Sequence, residues 1–120
     1  RGTLPRLRRR VARFGPVCFD HIMAIRRDPE HAEKTALLAL VADWRGKRVL
    51  EVGCGNGRLT WRYAHLAGVV DGIDPAHTLI QQAIAATPDA LRERVAFWPS
   101  GIESFHSPTR YDIAILSWSL

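Results

Sequence analysis

Apolar positions along this chain follow two rhythms, one every three or four residues and one in short unbroken runs. Leu37, Leu40, Val41 and Trp44 recur at helical spacing and form a single stripe. Asp28-Pro29-Glu30 precedes them as an N-cap with proline at the first helical position. Arg48 to Val52 is a compact apolar run with β-branched residues, which predicts a buried strand. A second helix is predicted over Arg58–Ala67, stopped by Gly68, and a second strand over Val69–Ile73. Leu79, Ile80, Ala83 and Ile84 mark a third helix that ends before Pro88. Arg94–Trp98 and Tyr111–Leu116 complete the series as strands three and four, and Phe19–Arg27 ahead of it predicts a short helix.

Strand and helix thus alternate at the pace of βαβ units, which predicts a parallel sheet with right-handed crossovers. The expected fold is α/β, a Rossmann-like doubly wound sheet in the order 3-2-1-4, preceded by N-terminal helices. Ligands in such sheets bind beyond the carboxyl ends of the strands, at the switch point beside strand one. A division into a basic arm with a short helix (1–30) and a Rossmann-like domain (31–120) follows from the same pattern.

Charge sharpens that division. The chain of 120 residues carries a net charge of +5. Residues 1–30 hold eight arginines (1, 6, 8, 9, 10, 13, 26 and 27) against Asp20, Asp28 and Glu30, and the remainder is balanced. The whole excess sits on the arm, where Arg6-Leu7-Arg8-Arg9-Arg10 can meet phosphates or an anionic surface; a merely solvated basic arm is the plainer alternative. No apolar run has the length of a membrane span. Cys18 and Cys54 make neither a disulfide framework nor a zinc cluster, which fits reduced thiols in a cytoplasmic protein. His21, His31, His65, His77 and His106 share no metal-ligand spacing, so no metal is expected.

Where strand one gives way to helix the sequence is Glu51-Val52-Gly53-Cys54-Gly55-Asn56-Gly57-Arg58. Glycines at such a turn admit positive φ and close approach of a ligand, while the amides opening the next helix attract an anion. A dinucleotide fingerprint needs glycine at position 58, which is arginine here. Glu51 would also repel a diphosphate, and it suits a ligand with an ammonium group. A nucleoside carrying an amino-acid tail meets both demands, with Asp74 at the end of strand two placed to accept hydrogen bonds from ribose hydroxyls. The plainer reading is that Asp74 merely caps the helix at Pro75, a role compatible with ribose binding.

Four segments in register carry a resemblance to the class I S-adenosylmethionine-dependent methyltransferases. VLEVGCGNGRLT (49–60) resembles their first motif, VVDGIDPA (69–76) the end of their second strand, and RVAFWPSGIESF (94–105) and YDIAILSWSL (111–120) their third and fourth strand motifs. The resemblance implies S-adenosyl-L-methionine as cofactor. It places Glu51, Val52, Gly53, Cys54, Gly55, Asn56 and Gly57 at the methionine end, Asp74 at the ribose and Pro75 with Ala76 under the adenosine. Gly101 and Ile102 fall beside adenine, at a place where many relatives carry an acid and this chain has glycine. Ser117 and Trp118 fall near the methionine and the acceptor.

The implied reaction is an in-line displacement at a sulfonium methyl, in which the protein chiefly orients and desolvates the reactants. No catalytic base is identifiable. The Asn/Asp-Pro-Pro-aromatic motif of enzymes that modify exocyclic base amines is replaced by Ser117-Trp118-Ser119-Leu120. This points toward a small-molecule, quinone or lipid acceptor, with nucleic acid met only through the arm. The family's sheet has seven strands, so the chain is expected to be a partial domain whose fourth strand forms an exposed edge. A non-catalytic S-adenosylmethionine-binding module and an NAD(P)-dependent oxidoreductase are the alternatives.

Overall fold

The computed structural model describes residues 19–26, 37–39, 41–107 and 109–118. Its centre is a five-stranded sheet, every neighbouring pair parallel: β1 (Phe19–Arg26), β2 (Arg48–Val52), β3 (Val69–Ile73), β4 (Val95–Trp98) and β5 (Tyr111–Trp118). They lie in the order β1-β5-β2-β3-β4. The last four are the predicted strands one to four in the predicted order, with only the end residues differing. The glycine turn therefore leaves the carboxyl end of the central strand, where the chain reverses its direction of travel across the sheet.

Two helices follow the first two of these strands, α1 (Thr60–Tyr63) and α2 (His77–Ala86). Leu59, Tyr63, Ala64 and Ala67 from the α1 region and Ile80 and Ala83 from α2 share a core with Val49, Val70, Val95, Phe97, Ile113 and Ile115 of the sheet. Leu37 and Trp44 join this core, so part of the predicted leading stripe is buried as expected. Residues 37–39 are helical; the rest of the predicted helix and its Asp28-Pro29-Glu30 start lie outside the described residues, as does the arm through residue 18. Leu50, Ile73, Trp98, Phe105 and Tyr111 form a second core. It buries Asp71, whose carboxylate accepts hydrogen bonds from the Tyr111 hydroxyl (2.7 Å) and the Trp98 indole (3.2 Å).

Three expectations need correction. Phe19–Arg26 is a strand, not a helix, running from Phe19 beside Tyr111 to Arg26 beside Trp118. An apolar strand such as β5 offers a full row of backbone groups on each side, and pairing to it outweighs local helical preference. For the same reason β5 is not an edge: β2 flanks it on one side and β1 on the other. The α1 region is also shorter than the predicted 58–67. Beyond Tyr63 the bonds tighten to three-residue spacing (Leu66 N to Tyr63 O, 2.8 Å; Ala67 N to Ala64 O, 3.2 Å). Gly68 and Val69 then donate to the Lys47 carbonyl and turn the chain into β3. A Cβ on Gly68 would lie 2.8 Å from the Gly46 Cα, so this crossing requires glycine.

Candidate functional site

The turn after β2 is built from left-handed backbone, with φ of +78° at Gly53, +57° at Gly55 and +89° at Gly57. Side chains are disfavoured at each of these positions. Gly53 has a second reason: its missing Cβ would collide with the backbone carbonyl of Ser117, so β5 presses directly on the turn. Gly57 lies under the Trp61 indole, 3.0 Å from where its Cβ would stand, and Trp61 in turn meets Phe97 edge-on at 5.5 Å. Gly53 and Cys54 both donate to the Ile73 carbonyl at 2.8 and 3.1 Å. The glycines thus fix the turn against three neighbouring segments.

Asp74 joins the loops beyond β2, β3 and β4. Its carboxylate accepts from the Gly55 amide (3.0 Å) and the Ala76 amide (2.9 Å), using both oxygens. Its own amide donates to the Trp98 carbonyl (3.2 Å), and its carbonyl accepts from the Ser100 amide (3.0 Å). Asp74 is 8% exposed, and each carboxylate oxygen keeps a lone pair beyond the one it has committed.

Glu51 sits deeper, with no exposure to solvent. Thr60 and Tyr63, one turn apart on α1, both donate to its Oε1, at 2.7 and 2.8 Å. Its Oε2 is buried with no hydrogen-bond partner. Burial pushes the carboxyl up to about 7, against the downward pull of Thr60, Tyr63, the Arg58 charge and the nearby Ser117, which makes no hydrogen bond to Oε2. Burial, then the charges of Glu51 and Asp74, push the Cys54 thiol well above its ordinary range, which makes it inert; its Sγ points to the Gly55 carbonyl at 3.6 Å.

The remaining residues singled out in the sequence fall around this centre. Asn56 and Pro75 are exposed and Ile102 is 39% exposed, whereas Val52, Gly101 and Ser117 are half-buried. Val52 packs with the second core, on the far face of the sheet from Glu51's partners. The backbone of Trp118 ends β5, and its side chain lies outside the described residues. Sequence reasoning missed three side chains. Thr60 and Tyr63 had a signal, since a buried acid needs donors and these hydroxyls stand three apart on the next helix. Glu103 had none: its carboxylate folds back over Gly101 and fills the space a Cβ would take, so an acid does stand at this loop.

The arrangement fits the expected cofactor on its own features. A buried carboxylate oxygen without a partner invites a cationic donor. The glycine turn gives a ligand close access to backbone, and a partly committed acid lies at the end of the adjacent strand.

A family model described as a methyltransferase domain matches residues 49–120. The tRNA U34 carboxymethyltransferase of Methylococcus capsulatus is 44% identical over 71 residues, covering 58% of this chain and 22% of that protein. The chain therefore spans about a fifth of the length of this curated relative. Among solved structures, an S-adenosylmethionine-dependent methyltransferase from Mesorhizobium loti superposes with a TM-score of 0.60 at 31% identity, over 74% of this chain and 41% of that one. Another from Thiobacillus denitrificans, in complex with S-adenosyl-L-homocysteine, gives a TM-score of 0.60 at 26% identity, over 74% and 36%.

These comparisons overturn the expected acceptor. A small molecule, quinone or lipid was inferred from the missing motif for exocyclic amines, but the curated relative is named for a tRNA uridine. Uracil has no exocyclic amine, so the lack of that motif never argued against such a target.

Proposed function

The chain belongs to the family of methyltransferase domains, and on that premise we propose that the protein alkylates a uridine of tRNA. Its cofactor is S-adenosylmethionine. When bound, this group supplies a carbon held on positively charged sulfur, which departs as a neutral thioether.

The observation that carries the cofactor site is the convergence of the three left-handed glycines beyond the central strand with Asp74 at the end of its neighbour β3. Glu51 would receive the ammonium and the turn amides the carboxylate of the amino-acid tail. Asp74 would accept from ribose on its remaining lone pairs, and Ile102 with Glu103 would border adenine. The rigid turn holds these groups in place before the ligand arrives, which lowers the ordering cost of binding. Position and exclusion of water are what the protein contributes to such a displacement. No base is assigned among the described residues.

The tRNA acceptor is supported by the name of the curated relative and by the placement of the excess positive charge. A cytoplasmic location follows from that acceptor; among the described residues no helix is long and apolar enough to cross a membrane. The test is to compare the mass of nucleoside 34 in tRNA from cells with and without the gene, and to titrate the purified protein with S-adenosylhomocysteine and with NAD. We expect a uridine derivative that disappears on deletion and binding of the first ligand only. Unchanged tRNA alongside firm S-adenosylhomocysteine binding would move the acceptor elsewhere and leave the cofactor site standing.

A further inference from the structure

We infer that Tyr63 and Thr60 are positioning residues that hold Glu51 with one oxygen open, so that the ammonium of the cofactor enters in exchange for a proton. The inference rests on the cofactor site proposed above and adds to it a coupled proton.

Both hydroxyls bond the same oxygen. Thr60 and Tyr63 converge on Oε1, from 2.7 and 2.8 Å, and leave Oε2 buried and without a partner. Had they divided between the two oxygens, the carboxyl would be satisfied within the protein and would offer a ligand little. The hydroxyls are held in turn. Thr60 and Tyr63 have no exposure, and the Tyr63 ring stacks on Trp44 with centroids 5.0 Å apart and planes 26° apart. A tyrosine fixed in this way cannot swing its hydroxyl to Oε2 without breaking the stack.

Among the described residues, few charged groups act on the carboxyl. Arg58 and Cys54 stand on the glycine turn, Tyr63 on α1, and Asp74, which acts on Cys54, beyond β3; β5 contributes the neutral Ser117. Among the described residues the Arg58 charge acts on the carboxyl and leaves it still raised to about 7, so near neutrality a sizeable share of the empty protein carries a proton on Glu51. Both acceptor bonds fall on Oε1, which assigns that proton to Oε2. An ammonium that supplies the missing hydrogen bond, directly or through one water, favours the ionised form, and the proton passes to solvent. One proton is released and one salt link is formed, with no other change of bonding.

Affinity should then fall as pH drops below about 7, since binding must first displace a proton. Calorimetry of the folded protein with S-adenosylhomocysteine, in buffers of different ionisation enthalpy at pH 6, should report close to one proton released. From pH 8 to pH 6 the affinity should fall several-fold. Methylthioadenosine, which lacks the amino-acid tail, should bind without proton release. Tyr63→Phe should move the fall to higher pH while retaining binding at pH 8.5; Thr60→Val serves the same purpose if the tyrosine variant does not fold. Glu51→Gln should bind more weakly and lose the slope. Binding by the native protein with no proton release at pH 6, or a slope unchanged in Glu51→Gln, overturns the inference but not the cofactor site. Absence of binding at every pH overturns both.

Discussion

Glu51 shows how a single residue couples the stability of the protein to pH. Folding raises its carboxyl from 4.5 to about 7 through burial, so between those values the folded chain holds a proton that the unfolded chain releases. The favourable contribution is complete below about pH 4.5 and is lost as pH rises through about 7. Above that, the folded protein carries a buried charge with one oxygen unmet. Glu51→Gln removes the charge and keeps an acceptor for Thr60 and Tyr63. It should therefore raise the melting temperature of the ligand-free protein at pH 8, by an amount on the order of 1–3 kcal/mol in stability, and raise it less or not at all at pH 5. Calorimetric melts at the two pH values check this; an equal shift at both would mean that the charge is not the cost. Gly53 gives a sharper case. Alanine there meets both a positive φ and the Ser117 carbonyl, so Gly53→Ala should destabilise by about 2 kcal/mol or more, measured by urea unfolding. Its demand on conformation was legible in the sequence, because a glycine row after a strand signals left-handed backbone. The press of β5 on it was not, because that contact joins residues far apart in the chain.

Among the elements, the loops after β2, β3 and β4 behave as one unit because Asp74 bonds to all of them. Asp74→Ala should weaken S-adenosylhomocysteine binding by roughly ten- to a hundredfold, the scale of a lost hydrogen bond to a charged group. It should also lower stability, since the Gly55 and Ala76 amides lose their acceptor. Asp74→Asn, which retains one acceptor oxygen, should fall between alanine and the native protein in both measurements. Equal affinity in a folded Asp74→Ala protein would remove this residue from the ligand. The four strands from β2 to β5 were readable because each is a short apolar run bounded by turn residues. The first strand was not. Phe19–Arg26 carries no period that separates strand from helix, and it becomes a strand through its pairing with β5. The length of α1 was obscured in a similar way, since the close passage of Gly68 against Gly46 cuts the helix short.

For the molecule as a whole, charge and chemistry occupy different parts of the sequence. The excess of five positive charges lies in residues 1–30, and the glycine site lies in the balanced remainder. Deleting residues 1–13 should weaken tRNA binding and flatten its dependence on salt while S-adenosylhomocysteine affinity stays the same. Filter binding across a salt series, paired with calorimetry, checks both halves; an unaltered salt slope would show that the arm does not contact phosphate. The cofactor side was largely legible because its demands are met within a few residues of each strand end. The acceptor was misjudged because a missing motif excludes one chemistry without selecting another. The pairing of β1 with β5 has a further consequence, in time. β1 is synthesised well before β5, so on the ribosome Phe19–Arg26 stays without this partner until residue 118 has emerged. Closing so long a loop is slow, and in pulse-labelled refolding the amides of this seam should gain protection after those of the sequence-local β2–β3 pair.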